Sequence, residues 1–113
     1  MANNICATYE DAAQNLKLVI TKQSESEGRF WGKVIRNGVE SQISGHGGFR
    51  FYNNDIGYGE GTTLFEFTNG NDKWNLQSDH VNSKPDFSVL YGTCTYIDSD
   101  GGQTPIRTTL KKI

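Results

Sequence analysis

A chain of 113 residues has the length of one domain, and its composition shows no shift that would divide it, so residues 1–113 are read as a single unit. A formal charge of −2 and a pI near 5.6 give no basic footprint, which argues against nucleic acid as a partner. No apolar run is long enough to span a bilayer. The first ten residues lack the charged and apolar regions of a secretion signal, so the expectation is a cytoplasmic or unconventionally secreted protein.

Thirteen glycines, only two prolines and 35% apolar residues describe short strands joined by many turns, with the aromatic side chains supplying much of the core. Residues 9–15 form the one stretch of helix-favouring composition, two turns at most. Leu16, Leu18 and Ile20 then alternate with Lys17, Val19 and Thr21 as a half-buried strand, and the polar residues 22–27 read as a loop. Residues 30–36 and 39–43 flank Asn37-Gly38, a pair that tolerates the positive φ angles of a tight hairpin. A short aromatic strand, residues 49–52, follows between two glycine-rich loops. Residues 62–68 put Thr63, Phe65 and Phe67 on one face and return through residues 69–72 to residues 73–76. That register sets Phe67 opposite Trp74 and Phe65 opposite Leu76. The longest strand, residues 87–97, turns at residues 98–102 into a last one, 103–111, where Pro105 marks an edge position. Gly32 and Gly92, inside strands, mark bends or bulges. About eight short strands without βαβ alternation predict an all-β antiparallel fold: a β-sandwich, with a small closed β-barrel as the alternative.

Candidate chemistry is sparse. Asp98 and Asp100 before Gly101-Gly102 echo a calcium loop, but no carboxylate stands where the bidentate ligand should fall, and a hairpin accounts for every residue. His46 and His80 have no spacing typical of zinc ligands. Neither a metal nor a cofactor is expected. Glu60, Arg50 and His80 make an acid, cation and imidazole set of the kind small ribonucleases use, and define a nuclease or hydrolase alternative. Cys6 and Cys94 read as two separate thiols, with one bridge between them as the alternative.

The aromatic residues carry the preferred reading. Phe30 and Trp31 are neighbours in a strand, so if Phe30 is core, Trp31 faces outward near the loop that carries Tyr58. Tyr52 opposes Phe51 in the same way, and Tyr58 and Asp55 lie in a glycine-rich loop. Flat apolar rings beside hydrogen-bonding side chains suit sugar rings and lipid headgroups, which makes Trp31, Tyr52, Asp55 and Tyr58 the expected ligand-binding residues.

Three stretches resemble the aegerolysin-like family: residues 28–33 (Gly-Arg-Phe-Trp-Gly-Lys), residues 58–67 from Tyr58 to Phe67, and residues 109–112 (Thr-Leu-Lys-Lys). The order and rough spacing are similar over about half the chain, while residues 79–85 lack the family's Trp- and Pro-containing segment. The resemblance implies a small acidic β-sandwich that binds membrane lipid and joins larger partners in pores. Residues 91–96 with Pro105, Ile106 and Arg107 resemble the last hairpin of a cyanobacterial mannose-binding agglutinin family, without that family's sugar-binding signature. The reading is therefore a non-enzymatic surface-recognition protein for membrane lipid or carbohydrate, toxin-like if part of a pore and compatible with oligomers. A lectin proper is the first alternative, and a small hydrolase or an inhibitor or protein-interaction domain comes after it.

Overall fold

A computed structural model describes residues 4–52, 61–81 and 84–113, with Tyr52 described by its backbone alone. Among these residues the chain forms β1 (Ala7–Asp11), a 3₁₀ turn (Ala12–Gln14), β2 (Leu16–Ser24), β3 (Arg29–Arg36), β4 (Val39–Gln42), β5 (Gly47–Tyr52), β6 (Thr62–Asn69), β7 (Asp72–Asp79), β8 (Val89–Ile97) and β9 (Gln103–Lys112). All pairings are antiparallel. The order β2-β1-β9-β8-β7-β6-β5-β3, with β3 back on β2, closes eight strands into an up-and-down barrel, and β4 is an extra strand on β3. The fold is thus the closed-barrel form of the expected all-β architecture and not the sandwich. Inward–outward alternation is the same in both. What separates them is non-local pairing, Tyr9 with Lys112 and Phe30 with Gly47, which no local pattern reports.

Large apolar side chains occupy the barrel interior. Phe30, Phe49, Phe65 and Phe67 converge, with Phe30 at 5.7–6.2 Å from each of the other rings, and Trp74, Leu76, Leu90, Leu18, Tyr9 and Leu110 complete the lining. Each such side chain contributes roughly 1.5–3 kcal/mol by leaving water. In an eight-stranded barrel side chains of this size fill the interior. The hairpins fall where turn chemistry puts them: Asn37 and Gly38 both have positive φ, and Phe67 pairs with Trp74 and Phe65 with Leu76.

Gly32 and Gly92 are close approaches between strands. A Cβ on Gly32 would lie 2.0 Å from the Val19 carbonyl oxygen, and one on Gly92 would lie 2.0 Å from that of Asn75. Opposite Gly32, β2 carries a bulge between Ile20 and Lys22, and the extra residue, Thr21, donates its hydroxyl to the Trp31 carbonyl at 3.3 Å.

Two local expectations are corrected. Residues 9–15 are strand β1 plus one 3₁₀ turn, because barrel closure takes Tyr9 into the core, fully buried, and tertiary pairing overrides a weak helix propensity. Residues 22–24 extend β2 beside Arg29–Trp31 and do not form a loop. Cys6 and Cys94 are both free. Pro105 sits on a local edge, since β1 pairs β9 only at Lys111 and Lys112. Below that seam, the side chains of Asp11 and Gln14 meet the Thr109 N–H (3.3 Å) and the Arg107 carbonyl (3.1 Å). Pro105 shares their parity, so its missing N–H falls on that edge and blunts it.

Candidate surface site on the outer wall

The parity of β3 holds in the folded barrel. Phe30 is fully buried, and Trp31 points outward and is half-buried. The β2 bulge decides what lies beside it. Plain alternation from Leu16, Leu18 and Ile20 would turn Lys22 inward, but the extra residue at Thr21 flips the phase. Lys22 is therefore exposed, paired with Trp31, its ammonium 4.9 Å from the indole centre. On the other side, Phe30 pairs with Gly47, which sets the next residue, exposed His46, beside Trp31 with ring centres 6.2 Å apart.

The same register continues around the wall. His46 precedes β5 and lines a groove of about 390 Å³ with Glu66, Thr68, Lys73 and Asn75, all on the outward phase of β6 and β7. Lys22, Trp31, His46, Thr68 and Lys73 thus form one transverse row across five neighbouring strand lanes. It offers an aromatic face, two ammonium groups, an imidazole and a hydroxyl, with the Asn75 amide and Glu66 carboxylate on the row below. The ion pair Lys33–Glu40, at 3.1 Å, lies outside this row. Neither Lys22 nor Lys73 takes part in it.

Of the four residues expected from sequence, Trp31 belongs to this row. Tyr52 closes β5 opposite Thr62, six positions along the strand from His46, or about 20 Å of extended chain, so its backbone is not brought to Trp31. Asp55 and Tyr58 lie outside the described residues. Lys22, Thr68 and Lys73 carry no signal of a site in the sequence, and His46 is weighed there only as a zinc ligand. Lys73 opposite Thr68 follows from the hairpin register that pairs Phe67 with Trp74, whereas His46 sits in Ser44-Gly45-His46-Gly47, which reads only as a loop.

The other candidate chemistry does not assemble. Arg50 is on the outward phase of β5. His80 is buried inside, its Nε2 2.9 Å from the Thr63 hydroxyl and its ring against Phe51, so the barrel wall separates the two. Glu60 lies outside the described residues. The Asp98 carboxylate accepts the N–H groups of Asp100 (3.1 Å) and Gly102 (2.7 Å), which makes it a turn cap. No cluster of three or more metal-ligating side chains occurs among the described residues. No helix among them is long and apolar enough to cross a membrane. Family models, characterised proteins and solved structures give no match to this chain.

Proposed function

We propose that this barrel is a non-enzymatic recognition protein that binds a sugar ring bearing an anionic group on its outer wall. The observation that carries the reading is the row Lys22, Trp31, His46, Thr68 and Lys73. An indole face suits the C–H face of a pyranose, and the hydroxyl, amide and carboxylate beside it suit ring hydroxyls. The two lysines against the one Glu66 favour a negative substituent. Magnitudes allow Lys22 to serve it: an exposed cation–π contact is worth about 0.5–1 kcal/mol, whereas a hydrogen bond to a charged group is worth about 1.5–3. Lys22 can therefore exchange the indole for an anion at a net gain. The large apolar side chains that line the interior favour a ligand on the outside of the barrel.

The same chemistry is offered by a free acidic glycan and by the headgroup of an acidic glycolipid, and the test separates them. Calorimetric titrations would use galacturonate oligomers, neutral galactose oligomers, and vesicles with and without an acidic glycolipid. We expect binding to the acidic sugars, at least tenfold weaker in Trp31→Ala and in Lys73→Ala. Binding to the vesicles alone would make the headgroup the source. Equal affinity for neutral and acidic oligomers, or no binding by the wild-type chain, would overturn the reading.

A further inference from the structure

A second depression lies on the outer wall over three adjacent strands, β7, β8 and β9, with a volume of about 340 Å³. That is near the small end for a ligand pocket and leaves room for one ring. Gln77 pairs with Tyr91 and Tyr91 with Thr109, while Thr93 pairs with Arg107, all on the outward phase. The floor is backbone at Gly92, where β8 lies too close to β7 for any side chain.

Its chemistry differs from that of the Trp31 row. The lining is more apolar than polar and includes the Tyr91 ring, Val89 and the two threonines. Its hydrogen-bonding groups are largely engaged with one another. The Tyr91 hydroxyl donates to Asp79 Oδ1 at 2.7 Å and accepts from Gln77 Nε2 at 2.9 Å. These bonds hold a half-buried ring in place, and the one to Asp79 keeps the phenol above its ordinary pKa. A sugar laid here would find few partners for its hydroxyls, whereas a flat apolar ring needs none.

The available charge is Arg107, exposed at the rim and in no ion pair among the described residues. It is the diagonal neighbour of Tyr91 across the β8–β9 pair, about 7–8 Å away, within reach of a long side chain. The Asp79 carboxylate does not cancel it. Asp79 stands four residues beyond Asn75, the β7 position in register with Thr93 and Arg107. Its backbone is therefore about 10 Å across the strands and about 13 Å along them from Arg107, beyond the Debye length of about 8 Å at physiological salt.

We infer that this depression is a separate site for a small aryl carboxylate, its ring on Tyr91 and its acid group on Arg107. Aromatic rings gain by offset or edge-to-face contact with one another. A guanidinium grips a carboxylate through two parallel N–H bonds, which an ammonium does not match. The depression shares no lining residue with the groove beside Trp31, so either site can fail without the other.

The test titrates the intact protein with phenylacetate, neutral phenylacetamide and cationic phenethylamine, following amide chemical shifts. Phenylacetate should shift the amides of Gly92, Thr93 and Thr109 and leave those of Trp31 and His46 in place. Phenylacetamide should bind roughly tenfold more weakly, the lower end for losing a hydrogen bond between charged groups. Arg107→Ala should bring the acid down to the level of the amide, and Arg107→Lys should recover only part of the difference, with circular dichroism unchanged in both. Tyr91→Leu should weaken acid and amide alike, and Lys73→Ala neither. Equal affinity for acid and amide, tighter binding of the amine, or shifts confined to Trp31 and His46 would overturn the site. So would the absence of any shift up to the solubility limit of the acid.

Discussion

The two tryptophans of this chain carry the same arrangement on opposite sides of the barrel wall, and only one of the two is free to change it. Inside, Trp74 is 1% exposed, stacked on Phe67 at 5.2 Å, with the Arg36 guanidinium 5.8 Å from its ring centre. Outside, Trp31 is half-buried beside His46, with the Lys22 ammonium over it. Arg36 is held a second time by Tyr96, whose ring lies 4.6 Å away and whose hydroxyl accepts a hydrogen bond from it, and it reaches Cys94 Sγ at 4.0 Å. A planar, weakly hydrated guanidinium suits that half-buried seat between rings. An ammonium on a flexible stem in water is bound loosely and can be recruited elsewhere. Burial therefore makes the inner cation–ring pair part of the fold and leaves the outer one available to a ligand.

The sharpest way to break this comparison is to truncate each indole. We predict that Trp74→Ala costs about 3–5 kcal/mol, the range for a large buried aromatic, because it loses the Phe67 stack and leaves Arg36 without its platform. Trp74→Phe should cost clearly less. The indole N–H has no partner among the described residues, so a benzyl ring forfeits area but no hydrogen bond. Urea midpoints report both. A Trp74→Ala loss below about 1 kcal/mol would show that the inner stack is not integral to the barrel.

Exchanging the cations comes next. Arg36→Lys should lower stability by about 1–2 kcal/mol, since an ammonium cannot lie flat between two rings, and most of the loss should persist in high salt because a half-buried pair is screened less than an exposed one. Lys22→Arg, on the outer indole, should leave the midpoint unchanged. Equal effects at the two positions would erase the distinction between them.

How much of this was legible is itself divided by the wall. The inward phase of β2, β3, β6 and β7 follows from alternation, and the pairing of Phe67 with Trp74 follows from the hairpin, so most of the core and the outward turn of Trp31 could be read. The rest depends on what local pattern cannot carry. Arg36 reads as a strand-end charge, and only the curvature that brings β3 near β8 shows it seated against Tyr96. The bulge at Thr21, which turns Lys22 outward, has no signature in 20-Ile-Thr-Lys-22; Gly32 signals a bulge, but only the pairing shows that the extra residue stands on the neighbouring strand. Barrel closure likewise rests on two β1–β9 pairs formed across almost the whole chain.

Trp31→Ala gives a smaller stability effect and a larger functional one. Its indole is only half-buried, so we predict a loss under about 1 kcal/mol, far below the cost of the same truncation at Trp74, together with the weakened acidic-sugar binding described above. Acrylamide quenching of wild type and Trp31→Phe supplies the control: the quenchable emission should vanish with Trp31. Unfolding on Trp31→Ala would place this residue in the structural class with Trp74.

The smallest effect expected is on alkaline stability, and it tests whether the inner cation site is bound to the fold through its phenol. Burial raises the Tyr96 pKa above its ordinary value, the neighbouring Cys94 pushes the same way, and Arg36 opposes them without reversing the direction. The native chain thus holds this proton to higher pH than the unfolded chain, whose tyrosines ionise near pH 10. The unfolded state then binds fewer protons than the native one, so the contribution of this phenol is intact below about pH 10 and is lost as pH rises through the native value. Tyr9, Cys6 and Cys94, raised by burial, and Tyr91, raised by its bond to Asp79, shift the same way. Tyr96→Phe keeps a ring under Arg36 and removes the titrating group. At neutral pH it loses one hydrogen bond to a charged group, worth about 1.5–3 kcal/mol, and it should make the alkaline decline of the urea midpoint shallower. A decline as steep as in the wild type would assign it to Tyr9, Tyr91 and the two thiols and not to Tyr96.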